Sequence, residues 1–344
     1  MGLGRWELLR ALGAVAADPA AAADLGLPSA GTTGHDEVFT VNCPPYASLY
    51  AGDDQGRLAA FWATAGLDPP AEPDHLAVLL DGYAGLGEAG KDDARRVLFG
   101  EFMWPWLPAY LGAVSDLPPG PLTGWAELTL DALRAEREQD RDLDLGPGGP
   151  LPWALREAPP PAGPDGLVAG LLTPLRSGMI LTRRAVAAGA EQVGAGPRIG
   201  NRRRALGAML AAEPERAARW LAGEADRWAR RHASGQLGTS QGGTSQGGTS
   251  QGGTSQGGAS QGGASQGGAS QGGTSQGGSA GSDPVQRWWA ERAAGTARLL
   301  RGIDALRRAD EPRGARKSGG AHGARKAQEG VRDGRETEWV SAAD

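Results

Sequence analysis

The chain has 344 residues, which is enough for one or two domains with a sizeable core. Its 57 glycines and 24 prolines exceed average use, but the glycine excess is concentrated in one segment, so the remainder keeps a globular composition. The single cysteine, Cys43, excludes a disulfide framework and a zinc site made of cysteines, and it is expected to be a buried thiol. No run of about 18 apolar residues predicts a membrane span. The histidines lack the usual metal-ligand spacings, so no metal site is expected; they are His35, His75, His232 and His322.

The net charge of −5 hides an uneven distribution along the chain. Residues 1–165 contain 25 Asp and Glu against 10 Lys and Arg, whereas residues 166–232 contain 5 acidic residues and 12 arginines. The acidic part would attract a basic peptide and repel nucleic acid. Charges spread over solvated helix faces would give the same balance, so the distribution by itself leaves both interpretations open.

Apolar residues recur at helical spacing through most of the chain, and no alternating strand pattern of useful length occurs. Residues 1–17 are predicted to form an amphipathic helix and not a signal peptide, because Glu7 interrupts a short apolar run. These patterns predict an all-α fold, with a single helical bundle domain over residues 1–232. A loop rich in proline and glycine is expected at about 146–164. The later helices are predicted at Asp54–Ala65, Pro73–Leu86, Asp92–Trp104, Leu122–Glu138, Leu167–Gly189, Asn201–Ala212 and Pro214–His232.

One segment has a repetitive composition that cannot form a core. Eight copies of Thr-Ser-Gln-Gly-Gly or Ala-Ser-Gln-Gly-Gly run from Thr239 to Gly278. None carries an apolar side chain large enough to offset the entropy lost on ordering the chain. Residues 233–282 are therefore predicted to be a flexible linker. A Gly/Ser chain of this length spans roughly 35 Å root-mean-square, about one small domain diameter, so the segment after it can fold back.

A helix is predicted directly after this linker. Asp283 is a suitable N-cap, and Pro284 suits the first helical position. Apolar residues that include two tryptophans then recur at helical spacing, so residues 283–308 are expected to form an amphipathic helix that packs back on the main domain. Residues 309–344 are polar and rich in glycine, and they are predicted to be a disordered tail.

Polar chemistry is concentrated in the segment Glu72-Pro73-Asp74-His75, at the predicted start of a helix. Pro73 would preset the first helical turn, and Glu72 and Asp74 would lie where the helix dipole favours negative charge. Such a patch could bind a cationic group of a peptide through charge-assisted hydrogen bonds. Ordinary helix capping with a structural histidine would produce the same pattern.

Other chemical uses of the chain have less support. Asp74 and His75 could act as a general acid and base, but adjacent helical residues point about 100° apart, and no Gly-x-Ser-x-Gly or phosphate-loop motif accompanies them. A hydrolase or nucleotide-binding enzyme is therefore the weaker hypothesis, and no catalytic residue is assigned. The arginine-rich stretch 198–204 could contact phosphate in a nucleic-acid adaptor, but it lacks aromatic residues for stacking and is expected to pair with the acidic part of the chain.

Two motifs and several supporting stretches lie in a distinctive order. The motif Pro44–Ser48, Pro-Pro-Tyr-Ala-Ser, precedes a helix and then the motif Glu72–Leu76, Glu-Pro-Asp-His-Leu. The supporting stretches are Trp106–Pro108, Thr173–Arg183, Arg198–Arg203 and Trp220–Trp228. Together they resemble the TorD/DmsD family, dedicated assembly chaperones for molybdenum enzymes of the dimethyl-sulfoxide-reductase type. The resemblance covers roughly residues 4–232 and 288–303.

This resemblance implies a cytoplasmic molecular chaperone and not an enzyme. Members of the family are all-helical, bind the twin-arginine signal peptide of a partner reductase, and hold the apoenzyme until its molybdopterin cofactor is inserted. The implied partner is the catalytic subunit of an apo molybdopterin oxidoreductase with its signal peptide; no cofactor, metal, nucleic acid or stable membrane insertion is expected. The signal-peptide-binding residues carried over from the family are Tyr46, Glu72, Pro73, Asp74 and His75.

Two positions depart from the family pattern. Ala47 stands where members often have Glu, and Val78–Leu80 fill a space where many have an acidic residue, so that the next acid is Asp81. A nitrate-reductase-type assembly factor, the same class of chaperone with a different client, is the nearest alternative.

Overall fold

A computed structural model describes most of the chain, and every regular element in the described part is helical. The only β feature there is an isolated antiparallel bridge between Tyr46 and His75. The predicted all-α class is therefore confirmed. The described residues are 3–52, 55–118, 120–139, 151–163, 166–196, 201–235 and 283–310, with side chains described up to 305.

The α-helices of the described part vary in length from four to 27 residues, with short and long helices interspersed along the chain. A 3₁₀ helix at Pro19–Leu25 and π-helices at Glu37–Asn42 and Leu98–Met103 lie between the α-helices. The α-helices in chain order are α1 Arg5–Ala17, α2 Gly31–Asp36, α3 Ser48–Ala51, α4 Gln55–Thr64, α5 Leu76–Glu88, α6 Asp92–Val97, α7 Leu107–Ser115, α8 Pro121–Gln139, α9 Trp153–Arg156, α10 Leu167–Leu171, α11 Pro174–Ser177, α12 Arg183–Val193, α13 Arg202–Ala212, α14 Pro214–Ser234 and α15 Pro284–Asp310.

A buried carboxylate joins three of these helices. Glu136 on α8 is 4% exposed and accepts two hydrogen bonds from Arg5 on α1, at 2.6 and 2.5 Å. The hydroxyl of Tyr83 on α5 donates to the same carboxylate at 2.8 Å. A buried charge needs such compensation, so this network fixes α1, α5 and α8 against one another and completes a core that includes the buried Cys43.

Contacts divide the chain into two units, residues 1–304 and 305–344. In the first unit, α15 packs on the preceding helices through polar contacts as well as apolar ones. Asp283 accepts from the indole nitrogen of Trp104 at 2.7 Å and from Arg137 at 2.6 Å, and it caps α15 as predicted, with Val285 N–H at 3.0 Å. Trp289 donates its indole N–H to the carbonyl of Pro105 at 2.8 Å. Of the second unit, residues 305–310 are described, and they are helical.

The predicted continuous helix Leu167–Gly189 is wrong. The chain there forms α10 and α11, runs without helix through residues 178–182, and then forms α12. Pro174 occupies the first turn of α11, and Gly178 ends that helix with a left-handed φ of 73°. Thr182 then caps α12 by accepting the N–H of Ala185 at 3.0 Å. Apolar spacing continued across these breaks, but the local backbone preferences determine where each helix ends.

Smaller differences concern two other predicted segments. The helix predicted at Asp92–Trp104 changes into a π-helix after α6, and the loop predicted at 146–164 contains the one-turn helix α9 within its described part. The predicted linker at 233–282 falls largely outside the described residues, and so does most of the predicted tail at 309–344; residues 233 and 234 belong to α14, and 309 and 310 to α15.

Arginines of α12 and α14 connect the basic part of the chain to its acidic part. Asp116 accepts from Arg227 at 2.6 Å and from Arg231 at 2.7 Å, and Arg184 lies 3.7 Å from Glu37. The predicted pairing of the 198–204 stretch with the acidic part is not found in its described residues, where Arg202, Arg203 and Arg204 form no ion pair. Residues 197–200 lie outside the described part, and the guanidinium of Arg202 donates to the carbonyl of Leu181 at 3.0 Å. Within the described residues, no helix combines the length and apolarity needed to cross a membrane.

Candidate functional site

The two family-like motifs are brought together by backbone pairing. The N–H of Ala47 donates to the carbonyl of Asp74 at 3.0 Å, and the N–H of Leu76 donates to the carbonyl of Pro45 at 2.8 Å. These bonds enclose the bridge between Tyr46 and His75. The five residues predicted to bind a signal peptide therefore lie at one crossing of two chain segments, called here the candidate site: Tyr46, Glu72, Pro73, Asp74 and His75.

The predicted helix start at Glu72–His75 is wrong, because α5 begins only at Leu76. His75 has an extended backbone, with φ −71° and ψ 137°, and is the N-cap of α5. Residues 73 and 74 form a turn, closed by the bond from His75 N–H to the carbonyl of Glu72 at 3.2 Å, and pairing with residues 45–47 holds His75 extended. Pro73 therefore lies before the helix and does not occupy its first turn. Glu72 and Asp74 are consequently outside α5, and their charges do not serve its first turn in the predicted way.

Asp74 caps a different helix from the one its sequence position suggests. Its side chain is buried, with the residue 4% exposed, and its Oδ2 accepts the backbone N–H of Ser48 at 3.1 Å. Ser48 is the first residue of α3. An aspartate that satisfies a free N–H at a helix start stabilises that start. The partner is 26 residues away in sequence, so no local pattern could have identified it.

His75 uses one ring nitrogen as a hydrogen-bond acceptor. Its Nδ1 accepts the backbone N–H of Ala77 at 3.2 Å, so the lone pair on Nδ1 must be free of a proton and the ring proton lies on Nε2. The ring is buried and meets the edge of Tyr46 with centroids 4.9 Å apart. Burial lowers the pKa of His75 below its usual value, against smaller opposing effects of Glu72 and Asp74. These contacts favour a neutral histidine.

Glu72 is the part of the candidate site that solvent reaches. The residue is exposed, and its Oε1 accepts a hydrogen bond from the Tyr46 hydroxyl at 3.3 Å. Burial of Tyr46 and the nearby Glu72 charge raise the pKa of that hydroxyl, which keeps it protonated as a donor. Within the described part of the chain, Glu72 forms no ion pair. Its carboxylate is therefore available to a cationic ligand.

The positions that depart from the family pattern have structural roles here. Ala47 is buried, and its N–H joins the pairing that forms the candidate site. Leu79 and Leu80 are fully buried in the core. Asp81, the next acid along α5, accepts from Arg10 on α1 at 2.9 Å, so it supports the α1–α5 contact and not the candidate site.

The geometry does not form a catalytic pair. Asp74 and His75 each accept a different backbone N–H, from Ser48 and from Ala77, so their proton-accepting atoms are directed to two helix starts. A general acid and base must reach the same substrate or each other. Among the described residues, no group of three or more His, Cys, Asp or Glu side chains is placed to hold a metal ion.

A small hollow of about 20 Å³ adjoins the candidate site and is lined in part by Ser48 and Asp74, and two larger clefts lie elsewhere in the described part of the molecule. A cleft of about 450 Å³ is lined in part by Val38, and one of about 330 Å³ in part by Trp228. They share Leu117 and Arg184 on their walls. Neither is lined by a residue of the candidate site, which is therefore a surface made by two crossing segments and not the floor of a large cleft.

Comparison with known proteins finds one relationship of note. The chain is 34% identical over 112 residues to chaperone protein YcdY of Escherichia coli strain K12. The match includes 29% of this chain and 59% of that protein, so the chain spans a little under two thirds of its relative. No protein-family model and no solved structure matches the chain. The relationship to a chaperone agrees, at that coarse level, with the resemblance expected from the motifs.

Proposed function

We propose that this protein is a cytoplasmic molecular chaperone that binds the twin-arginine signal peptide and the apo form of a molybdopterin oxidoreductase. The observation that carries the proposal is the crossing of the Pro44–Ser48 and Glu72–Leu76 motifs at one surface. Both motifs resemble one chaperone family, and contacts such as the one between Ser48 and Asp74, 26 residues apart in sequence, bring them to one surface.

The chemistry of the candidate site suits an arginine-bearing peptide. Glu72 offers an exposed carboxylate, and the two oxygens of a carboxylate match the paired N–H groups of a guanidinium. The balance of 25 acidic against 10 basic residues over 1–165 adds a longer-range attraction for a basic peptide. The relative of this chain carries the name of a chaperone, which supports binding and not turnover as the activity.

The alternative enzymatic use of Asp74 and His75 has no observation in its favour. Both side chains are buried and both accept a backbone N–H at a helix start. A nitrate-reductase-type assembly role would use the same surface, so the identity of the client separates it from the leading proposal.

The proposal is tested by peptide binding to the full chain. A synthetic signal peptide with an Arg-Arg pair is titrated by calorimetry at low and at physiological salt, beside matched peptides with Lys-Lys and Gln-Gln. We expect binding to the Arg-Arg peptide, an affinity that falls as salt rises, and no measurable binding to the Gln-Gln peptide. Equal affinity for the Arg-Arg and Gln-Gln peptides, or no binding of either at low salt, would refute the proposal.

The client is tested separately by co-purification. The tagged chain is expressed with a candidate molybdopterin oxidoreductase subunit, with and without its signal peptide and in cells unable to make the cofactor. The proposal expects the apo subunit to be retained only when its signal peptide is present. Retention of a nitrate reductase subunit in place of this client would favour the alternative assembly role.

A further inference from the structure

We propose that the candidate site combines residues that contact the peptide with residues that hold the contacting ones in position. In this proposal, which rests on the proposed function, the Glu72 carboxylate, held by Tyr46, contacts a guanidinium group of the peptide. Asp74 and His75 are positioning residues that act through the helix starts they cap. These caps hold the two segments in their crossed arrangement, and that arrangement determines the position of Glu72 on the surface.

Asp74 presents far less surface than Glu72. The residue is 4% exposed, and its Oδ2 is engaged by Ser48 N–H while its own carbonyl accepts from Ala47 N–H. Both contacts join the segment before α5 to the start of α3. Loss of the Asp74 carboxylate would remove the hydrogen bond to Ser48 that connects the two segments. Glu72, two residues earlier, would then no longer be held in place.

His75 performs the corresponding role for α5. The acceptor on Nδ1 closes the first turn by engaging Ala77 N–H, and the ring packs against Tyr46. A neutral imidazole is the form that can make this bond, and it also places no positive charge beside a cationic ligand. The ring therefore connects the start of α5 with the aromatic residue whose hydroxyl orients Glu72.

Glu72 and Tyr46 are the groups suited to direct contact. Glu72 is exposed and makes no ion pair in the described part of the chain, and the Tyr46 hydroxyl donates a long hydrogen bond of 3.3 Å to one of its oxygens. That bond leaves Oε2 and the remaining lone pair of Oε1 for an incoming guanidinium, which binds best through two parallel N–H groups. Recognition by a carboxylate of this kind explains why an arginine would be preferred to a lysine.

The test compares variants that keep a cap with variants that remove it. Asn is as good a helix cap as Asp, so Asp74→Asn and His75→Asn should preserve the two helix starts while removing the charge or the imidazole. Asp74→Ala and His75→Ala remove the caps. Glu72→Gln keeps the shape of the side chain and removes its charge. Asp68→Asn, at an exposed acid outside the candidate site, is the control for a general loss of negative charge.

All variants are made in the full chain and titrated with the Arg-Arg peptide across a salt series. We expect Glu72→Gln to weaken binding by roughly 10-fold or more and to reduce its dependence on salt, as for loss of a charge-assisted hydrogen bond. The two Asn variants should stay within about twofold of the parent, and the two Ala variants should lose roughly fivefold. Asp68→Asn should change affinity by less than about twofold.

The inference is overturned if His75→Asn and Asp74→Asn lose as much affinity as the Ala variants, because direct contact would then explain their role. It is equally overturned if Glu72→Gln binds like the parent. Failure of the unmodified chain to bind the Arg-Arg peptide refutes the proposed function itself. Thermal unfolding of each variant separates loss of the site from loss of the fold, and the Asn variants keep the test informative if an Ala variant does not fold.

Discussion

The docking of α15 on the rest of the first unit can be tested at a single glycine. Gly178 has a left-handed φ of 73°, and a Cβ added there would lie 2.2 Å from the backbone nitrogen of Ala293 and 2.7 Å from its Cα. Both atoms belong to the backbone of α15, so no side-chain rotation can relieve the contact. The substitution Gly178→Ala must therefore strain residue 178 and also displace α15.

The size of the effect follows from two contributions. An L-residue in the left-handed region costs about 1 to 2 kcal/mol relative to glycine. Overpacking a close backbone contact adds typically about 1 to 3 kcal/mol. Gly178→Ala should thus lower the free energy of unfolding by about 2 to 5 kcal/mol. Gly26→Ala is the matched control, because its φ of 65° carries the same strain and no described heavy atom lies within 4 Å of the added Cβ.

Urea unfolding followed by circular dichroism gives the free energy of unfolding of both variants. Acrylamide quenching of tryptophan fluorescence adds a local readout when each variant is compared with its Trp289→Phe counterpart, because the chain has 11 tryptophans. Trp289 on α15 is 2% exposed and should become accessible only in Gly178→Ala. The reasoning fails if the two variants are equally destabilised and Trp289 stays protected in both. That result would mean that α15 does not pack against Gly178 in solution.

Three further predictions concern the stability of the chain. The end of α14 lies close to the start of α15, because a Cβ added at Gly235 would be 3.3 Å from the side chain of Gln286. A connection of about six residues in place of the 47 residues 236–282 should therefore stabilise the fold by about 2 kcal/mol, the closure entropy of three halvings in length. An unchanged urea midpoint would contradict this. Burial lowers the pKa of His232 to about 3 from about 6.5, so the unfolded chain takes up a proton first and stability falls as pH drops below about 6.5. His232→Gln should therefore remove about 3 kcal/mol of the loss between pH 7.5 and 4.5, measured as the difference from the parent in urea unfolding at both pH values. Glu136→Ala leaves Arg5 and the hydroxyl of Tyr83 without their buried partner and should lower the free energy of unfolding by about 3 kcal/mol. A change near zero in the same urea assay would show that this network does not stabilise the helix contacts.

The sequence predicted the features that depend on neighbouring residues. Helical spacing of apolar side chains gave the all-α class, because one face of each helix must be buried. Asp283 and Pro284 marked the start of α15, since an N-cap and a first-turn proline act on the adjacent backbone N–H groups. Cys43 was expected to be buried, and it is.

At the candidate site, local sequence patterns did not predict the backbone structure correctly. Glu72-Pro73-Asp74-His75 has every local mark of a helix start, yet the helix begins after it. Pairing with residues 45–47 holds His75 extended after a turn at residues 73 and 74, and that pairing is between chain positions 26 or more residues apart. A local pattern carries no information on such a contact, because the free energy that selects it comes from the packed helices around both segments.

The different roles of the acidic residues near α5 are also determined only by the tertiary structure. The sequence placed Glu72 and Asp74 together at a helix start and gave Asp81 only as the next acid along the helix. The fold buries Asp74 at the start of α3, directs Asp81 to Arg10 on α1, and leaves Glu72 exposed beside Tyr46. The residue types and the family-like motifs were thus readable from the chain by itself. The division between charges that hold the fold and a charge free to bind arises only when distant segments meet, since burial and hydrogen-bond partners are properties of the packed structure.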